Sequence, residues 1–236
     1  MPPAKTLIKN YVDYSLDLIF PKECVGCGIE GYWICFDCQK EIIEIKSFYC
    51  PNCQKLTPNG EFCRLCRKNY KLSGIIIAGH YKFGPLREAI HSYKYDGIFE
   101  LEIFFKPLLI SRLKNNLPQG EKIIIPIPLH HKKEMKRGFN QAERLAKIIA
   151  QKFKLPLKTK ILKRIKETEA QMSLKKKERK ENIAGAFKVI TSDKIKNKTI
   201  LLVDDVATTG LTLNEAAKVL ITAGAKKVWG VVIAQG

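Results

Sequence analysis

Thr199-Ile200-Leu201-Leu202-Val203-Asp204-Asp205-Val206-Ala207-Thr208-Thr209-Gly210-Leu211-Thr212 decides how this chain reads. It opens as an apolar run, which suits a strand buried on both faces of a parallel sheet. The run stops at two carboxylates, a loop of hydroxyls and glycine follows, and a helical pattern runs from Leu213 to Ala223. An α/β sheet builds an anion site at the carboxyl end of a strand in this order. The backbone N–H groups of residues 207–212 can converge on an anion at the helix N-terminus. Thr208, Thr209 and Thr212 add hydroxyl donors, and Gly210 supplies the positive φ or close approach that such a loop needs.

Two acids beside a phosphate repel it unless they face something else. Ribose hydroxyls are the natural partner, because a carboxylate oxygen accepts from a sugar O–H. The stretch therefore reads as a ribose-5-phosphate grip. Asp204 and Asp205 take the 2′- and 3′-hydroxyls; Ala207, Thr208, Thr209, Gly210, Leu211 and Thr212 take the 5′-phosphate. A plain helix cap needs one polar residue, and this run supplies five. The run resembles the phosphoribosyl-pyrophosphate (PRPP) motif of the type I phosphoribosyltransferases.

The 236 residues suffice for one sizeable α/β domain and a small appendage. No window has the apolar length of a bilayer span, and the N-terminus has no basic region followed by an apolar one, so a cytoplasmic protein is expected. The net charge of +19 is uneven: residues 151–198 carry 16 basic and 5 acidic side chains, whereas the last 38 residues are neutral. A positive field concentrated in one segment attracts nucleic acid or phosphorylated small molecules. A lysine-rich surface spread over the whole chain would look different.

All eight cysteines lie between residues 24 and 66, as Cys24-x2-Cys27-x7-Cys35-x2-Cys38 and Cys50-x2-Cys53-x9-Cys63-x2-Cys66. Each CxxC turn offers two thiolates to a tetrahedral ion, and two turns complete a site. Two structural zinc sites are expected, with ligands either sequential or interleaved between the halves. Redox-active pairs would call for a thioredoxin-like βαβ context, which is missing. Tyr32, Trp33, Phe36, Phe48, Tyr49 and Phe62 lie among the ligands. They are suited to stacking bases, but in so small a module they are expected to form its apolar core.

Upstream of the cysteines, residues 5–20 show helical spacing, and a helix docked on the protein's own core is expected there. Downstream, residues 75–83 read as a strand and Pro85 to Tyr95 as a helix, with His91 and Lys94 on or near it. A second helix covers residues 98–113. Lys122 to Leu129 reads as a buried strand whose carboxyl end is stiffened by Pro126 and Pro128. Four cations between Lys132 and Arg137 follow, then a lead-in to a helix ending near Lys154. That turn suits a second anion, pyrophosphate. The basic stretch 155–198 reads as a solvated surface or as a lid closing on anions.

Taken together, the chain resembles the ComF competence-protein family. The marks are the paired CxxC turns, Tyr81 through Lys94, Pro126-x-Pro128-Leu129-His130, Arg137-Gly138-Phe139-Asn140-Gln141, the spaced Arg164, Thr168, Gln171, Arg179 and Asn182, and the acid pair with its Thr-Thr-Gly loop. The resemblance implies an α/β fold: a type I phosphoribosyltransferase-like parallel sheet behind a small N-terminal zinc-ribbon module. The expected division is an N-terminal helix at 1–22, a double zinc ribbon at 23–72 and the phosphoribosyltransferase-like domain at 73–236. It further implies that Pro128, Leu129, Lys136, Arg137 and Gln141, with the hood residues Arg164, Gln171 and Arg179, surround pyrophosphate, and that Mg2+ accompanies PRPP. The implied role is single-stranded DNA handling in natural transformation beside a competence helicase. The alternative is an active transferase moving ribose-5-phosphate from PRPP to an unidentified acceptor. No catalytic residue is singled out.

Overall fold

The computed structural model describes residues 21–42, 47–81, 84–167 and 181–236. The helix expected over 5–20 and the hood positions Thr168, Gln171 and Arg179 lie outside the described residues. Strands are β1 (Gly74–His80), β2 (Lys122–Pro126), β3 (Leu162–Arg164), β4 (Phe187–Val189), β5 (Thr199–Val203), β6 (Val206–Ala207) and β7 (Lys227–Gln235). Helices are α1 (Phe36–Glu41), α2 (Pro85–Tyr95), α3 (Glu102–Lys114), α4 (His131–Arg137), α5 (Gln141–Phe153) and α6 (Leu211–Thr222).

The main sheet is parallel, in the order β1-β7-β5-β2, with the short β6 also on β7. Every residue of β5 is buried, as its apolar run demands. The alternation of side chains across a strand sorts the core into two layers. Ile75, Ile77, Ile123, Ile125, Ile200 and Leu202 face α6 and the β3–β4 hairpin. Ile76, Ala78, Ile124, Leu201, Val203 and Ile233 face α2, α3 and α5.

The two halves of the cysteine module divide between these layers. Cys24, Ile34, Cys35 and Cys38 join the layer of α2 and α3, and Cys50, Phe62, Cys66 and Leu72 join that of α6. The cysteine module thus straddles the edge strand β1. Phe62 N–H donates to Ser73 O at 3.3 Å, Glu61 bridges Gly74, and from α3 Arg112 Nε donates to Ile77 O at 3.0 Å. These contacts cover an edge that would otherwise present unpaired backbone groups. The expectation that the six aromatics form a core of their own is corrected: Tyr32 is 60% and Phe36 69% exposed, and only Phe62 of the six is fully buried. The module borrows its core from the sheet.

Two further segments differ from the sequence reading. The stretch after His130 folds as two helices, because Gly138 takes φ 79° and ends α4 before Asn140 caps α5. The ends of the basic stretch pair as the β3–β4 hairpin, with Arg164 opposite Phe187. Lys132 on α4 reaches Glu167, just past β3, at 2.7 Å and ties the hairpin to the helix.

Asn214 on α6 joins module and sheet domain, accepting Lys71 N–H at 2.8 Å and Leu72 N–H at 3.3 Å through one buried oxygen. Asn214→Ala leaves those two N–H groups without that acceptor. It is expected to lower the unfolding free energy by about 2 kcal/mol in urea titrations.

Candidate functional site

β5 delivers Asp204 and Asp205 to the carboxyl edge of the sheet. The backbone there is held by Asp204 N–H to Val231 O at 3.0 Å and Ile233 N–H to Asp205 O at 2.9 Å. Both carboxylates also accept locally: Asp204 Oδ1 from Asp205 N–H at 2.9 Å, and Asp205 Oδ1 from Val206 N–H at 2.7 Å. β6 then pairs with Ala234 and Gln235, and Gly210 at φ 69° turns the chain into α6. A Cβ at Gly210 would stand 3.1 Å from Ile75 Cδ1, so the loop lies tight on the sheet. The N-cap of α6 is Gly210, which makes no side-chain cap hydrogen bond among the described residues. Thr209 Oγ1 is buried without a hydrogen-bond partner among the described residues. An orphaned hydroxyl and an uncapped twelve-residue helix fit an oxyanion.

Cations surround the acid pair. Lys94 Nζ, from the last turn of α2, lies 2.9 Å from Asp205 Oδ2. Burial pulls the Lys94 ammonium down, but Asp205, with Asp204 behind it, outweighs that and holds its pKa above the usual value. Burial and the neighbouring Asp205 push the Asp204 carboxyl up to about 8, against the opposing pull of Lys94 and Arg164. Burial lowers the Arg164 guanidinium, with Asp204 opposing. Lys133 on α4 is lowered by burial and by the charges of Arg164 and Arg137. Arg137 donates to Gln141 Oε1 at 2.6 Å across the break between α4 and α5.

The proline turn is fixed against this cluster. Ile127 N–H donates to Val203 O at 2.8 Å, beside the acid pair. Asn140 Nδ2 donates to Ile127 O at 3.0 Å, and Asn140 Oδ1 accepts Ala142 N–H at 3.0 Å. One buried amide therefore holds the turn carrying Pro128 and Leu129 to the N-terminus of α5. Lys136 is exposed at the rim.

The sulfur atoms form two sequential clusters, Cys24/Cys27/Cys35/Cys38 and Cys50/Cys53/Cys63/Cys66, each with all four Sγ within 4.8 Å of one another. Zn–S bonds of about 2.3 Å in a tetrahedron put sulfurs about 3.8 Å apart. Cys27–Cys35 and Cys53–Cys63 are each 3.6 Å apart. Cys24 Sγ accepts Cys35 N–H at 3.2 Å, and Cys66 Sγ accepts from Asn52 Nδ2 at 3.2 Å, the outer hydrogen bonds that orient thiolates. These are two zinc-binding sites, each of four cysteines.

The family description "Phosphoribosyl transferase domain" matches residues 140–236, and "Double zinc ribbon domain" matches residues 15–67. Competence protein F of Haemophilus influenzae is 34% identical over 228 residues, covering 89% of this chain and 96% of that one. The chain belongs to the ComF competence-protein family. Competence protein ComFC of Streptococcus pneumoniae is 33% identical over 83% of this chain and 84% of its own. The DNA utilization protein YhgH of Escherichia coli K12 is 27% identical over 89% and 96%. The fold is accordingly the phosphoribosyltransferase-type parallel α/β sheet with an N-terminal zinc ribbon.

Within this ComF-family fold Arg164 lies near Asp204, Lys133 lies near Arg164 and Arg137, and Arg137 holds Gln141. The sequence reading passes over two residues that organise the site. In sequence Lys94 reads as a helix residue beside His91, although its place four residues after the buried Ile90 sets it at the margin of the packed face. Asn140 caps α5, but its reach to Ile127 has no local sequence mark.

Cys24→Ser and Cys66→Ser are each expected to release one zinc equivalent by metal analysis and to lower the melting temperature, since both sulfurs are buried in the shared core. Asp204, with its folded pKa raised, contributes stability that is full below the ordinary value of 3.8 and is lost as pH rises toward about 8. Asp204→Asn is expected to flatten that decline between about pH 6 and 8 in thermal melts without divalent cation.

Proposed function

We propose that the chain binds PRPP or a closely related phosphoribosyl ligand at the end of β5 and serves single-stranded DNA handling during DNA uptake in the cytoplasm, alongside a competence helicase. The observation that carries the ligand reading is the acid pair set directly beside an uncapped, hydroxyl-lined helix N-terminus. Asp204 and Asp205 accept the ribose hydroxyls, and the N–H groups and hydroxyls of Ala207 to Thr212 take the 5′-phosphate. Arg137, Lys136 and Arg164 face the pyrophosphate, steered by the turn at Pro128 and Leu129 and by Gln141. Gln171 and Arg179 join them from the stretch outside the described residues. The parts are taken as 1–22, 23–72 and 73–236.

Asp205 already holds Lys94, and each acid already accepts a backbone N–H. The site therefore fits a Mg2+ that arrives on the ligand's own oxygens better than one bound by the carboxylates alone. Such an ion would supply neutralisation of pyrophosphate charge. The relatives' names, competence protein and DNA utilization protein, support the DNA role. So does the concentration of positive charge in residues 151–198.

A second reading, transfer of ribose-5-phosphate to an unidentified acceptor, draws on the convergence of Arg164, Lys133 and Arg137 near the acids. Cations placed there stabilise a departing pyrophosphate. Release of pyrophosphate from PRPP with nucleobases or nucleic acid separates the two readings.

Calorimetry of the zinc-loaded chain tests the proposal. Mg-PRPP is expected to bind, and Asp205→Asn to weaken it roughly ten-fold or more, the loss of one charge-assisted hydrogen bond. Affinity for an oligo-dT strand is expected to fall steeply as salt is raised. An Asp205→Asn protein with unchanged PRPP affinity, or DNA binding indifferent to salt, would sink the respective half.

A further inference from the structure

A cavity of about 570 Å³ opens between the C-terminal end of α2 and α4, walled by Lys94, Tyr95, Lys133, Lys136, Arg137 and Phe139. Four of these six side chains are cations and two are aromatic, and Asp96 adds a carboxylate. Pyrophosphate alone accounts for the cations but has no use for the rings, and the volume falls in the range of sites for whole organic ligands.

The rings are placed rather than merely present. Phe139 packs edge-on against Phe99 at 4.8 Å and against Tyr93 at 6.0 Å. Tyr93, fully buried, donates to Glu102 at 2.7 Å, and Glu102 also holds Arg144, which in turn lies over Phe99 at 4.0 Å. That network fixes the inner wall. Tyr95 is 61% exposed at the mouth, with the Arg137 guanidinium 5.1 Å from its ring centroid. A flat, partly exposed ring beside cations suits a ligand with both an aromatic face and a phosphate.

Lys94 belongs to both sites. It lines this cavity and holds Asp205 at 2.9 Å. An anion entering the cavity competes for the same ammonium.

We propose that this cavity is a nucleotide site, with the phosphate on Lys133 and the base on Tyr95, and that Lys94 couples its occupancy to the acid pair. The site's existence stands on the cavity, whereas the coupling rests on the phosphoribosyl reading of Asp204 and Asp205. A free mononucleotide and one nucleotide of a DNA strand present the same chemistry here.

Titration of the zinc-loaded full chain with dTMP, inorganic phosphate and a short oligo-dT strand tests this. dTMP is expected to bind at least ten-fold more tightly than phosphate, and Tyr95→Ala to weaken dTMP roughly ten-fold while leaving phosphate unchanged. Equal affinity for dTMP and phosphate, or an indifferent Tyr95→Ala protein, overturns the site. Tyr95-dependent oligo-dT binding identifies a strand as the source, and its absence beside dTMP binding identifies the free nucleotide. Mg-PRPP is expected to shift dTMP affinity at least three-fold, and Lys94→Met to abolish the shift. No shift in the wild-type chain overturns the coupling. Tyr95-dependent dTMP binding by a chain that fails to bind Mg-PRPP supports the cavity and defeats only the phosphoribosyl reading.

Discussion

Two adjacent carboxylates at the end of a fully buried strand pose an electrostatic problem on which much of the molecule turns. Desolvation and mutual repulsion both disfavour the charged pair. The fold answers from several directions at once: Lys94 from α2 on Asp205, Arg164 from β3 near Asp204, and two backbone N–H groups along the turn. None of these partners is a neighbour in sequence apart from the turn itself. Sheet order, hairpin and helix placement can thus be understood as the geometry that gathers cations to this point.

The same arrangement separates positioning from chemistry. Asn140, Gly138 and the edge-packed Phe139 are not among the residues proposed above for the ribose or its 5′-phosphate. They decide where the proline turn and α4 sit relative to the acids. Exposed Lys132–Glu167 adds a link between α4 and the hairpin, worth little in energy when solvated.

How much of this was legible beforehand depends on the range of the interaction. The β5–loop–α6 unit is local, and its apolar run, acids and glycine announce it. So do the cysteine turns, whose sequential pairing is settled only by which sulfurs meet. Long-range contacts leave weaker traces. Lys94 reads as an ordinary helix lysine until Asp205, more than a hundred residues later, arrives beside it. The aromatics of the cysteine module show the same limit: Phe62 is buried by Tyr70 of the module together with the sheet-side core, whereas Tyr32 and Phe36 stay exposed. The break at Gly138 was visible as a glycine, yet glycine alone does not say whether a helix ends or merely continues at a cost.

The clasp of the cysteine module on both faces of β1 also orders events on the nascent chain. All eight thiols have left the ribosome before the sheet begins at Gly74. Their packing surfaces come far later: β1 pairs with β7, the last strand, and Lys71 meets Asn214 across 143 residues. Synthesis at about 5–20 residues per second leaves that gap open for several seconds or more. During that interval metal is the only large stabilising force available to the module, which alone is too small to bury much apolar surface. Zinc bound during that interval holds the module that closes the edge of the sheet against other chains.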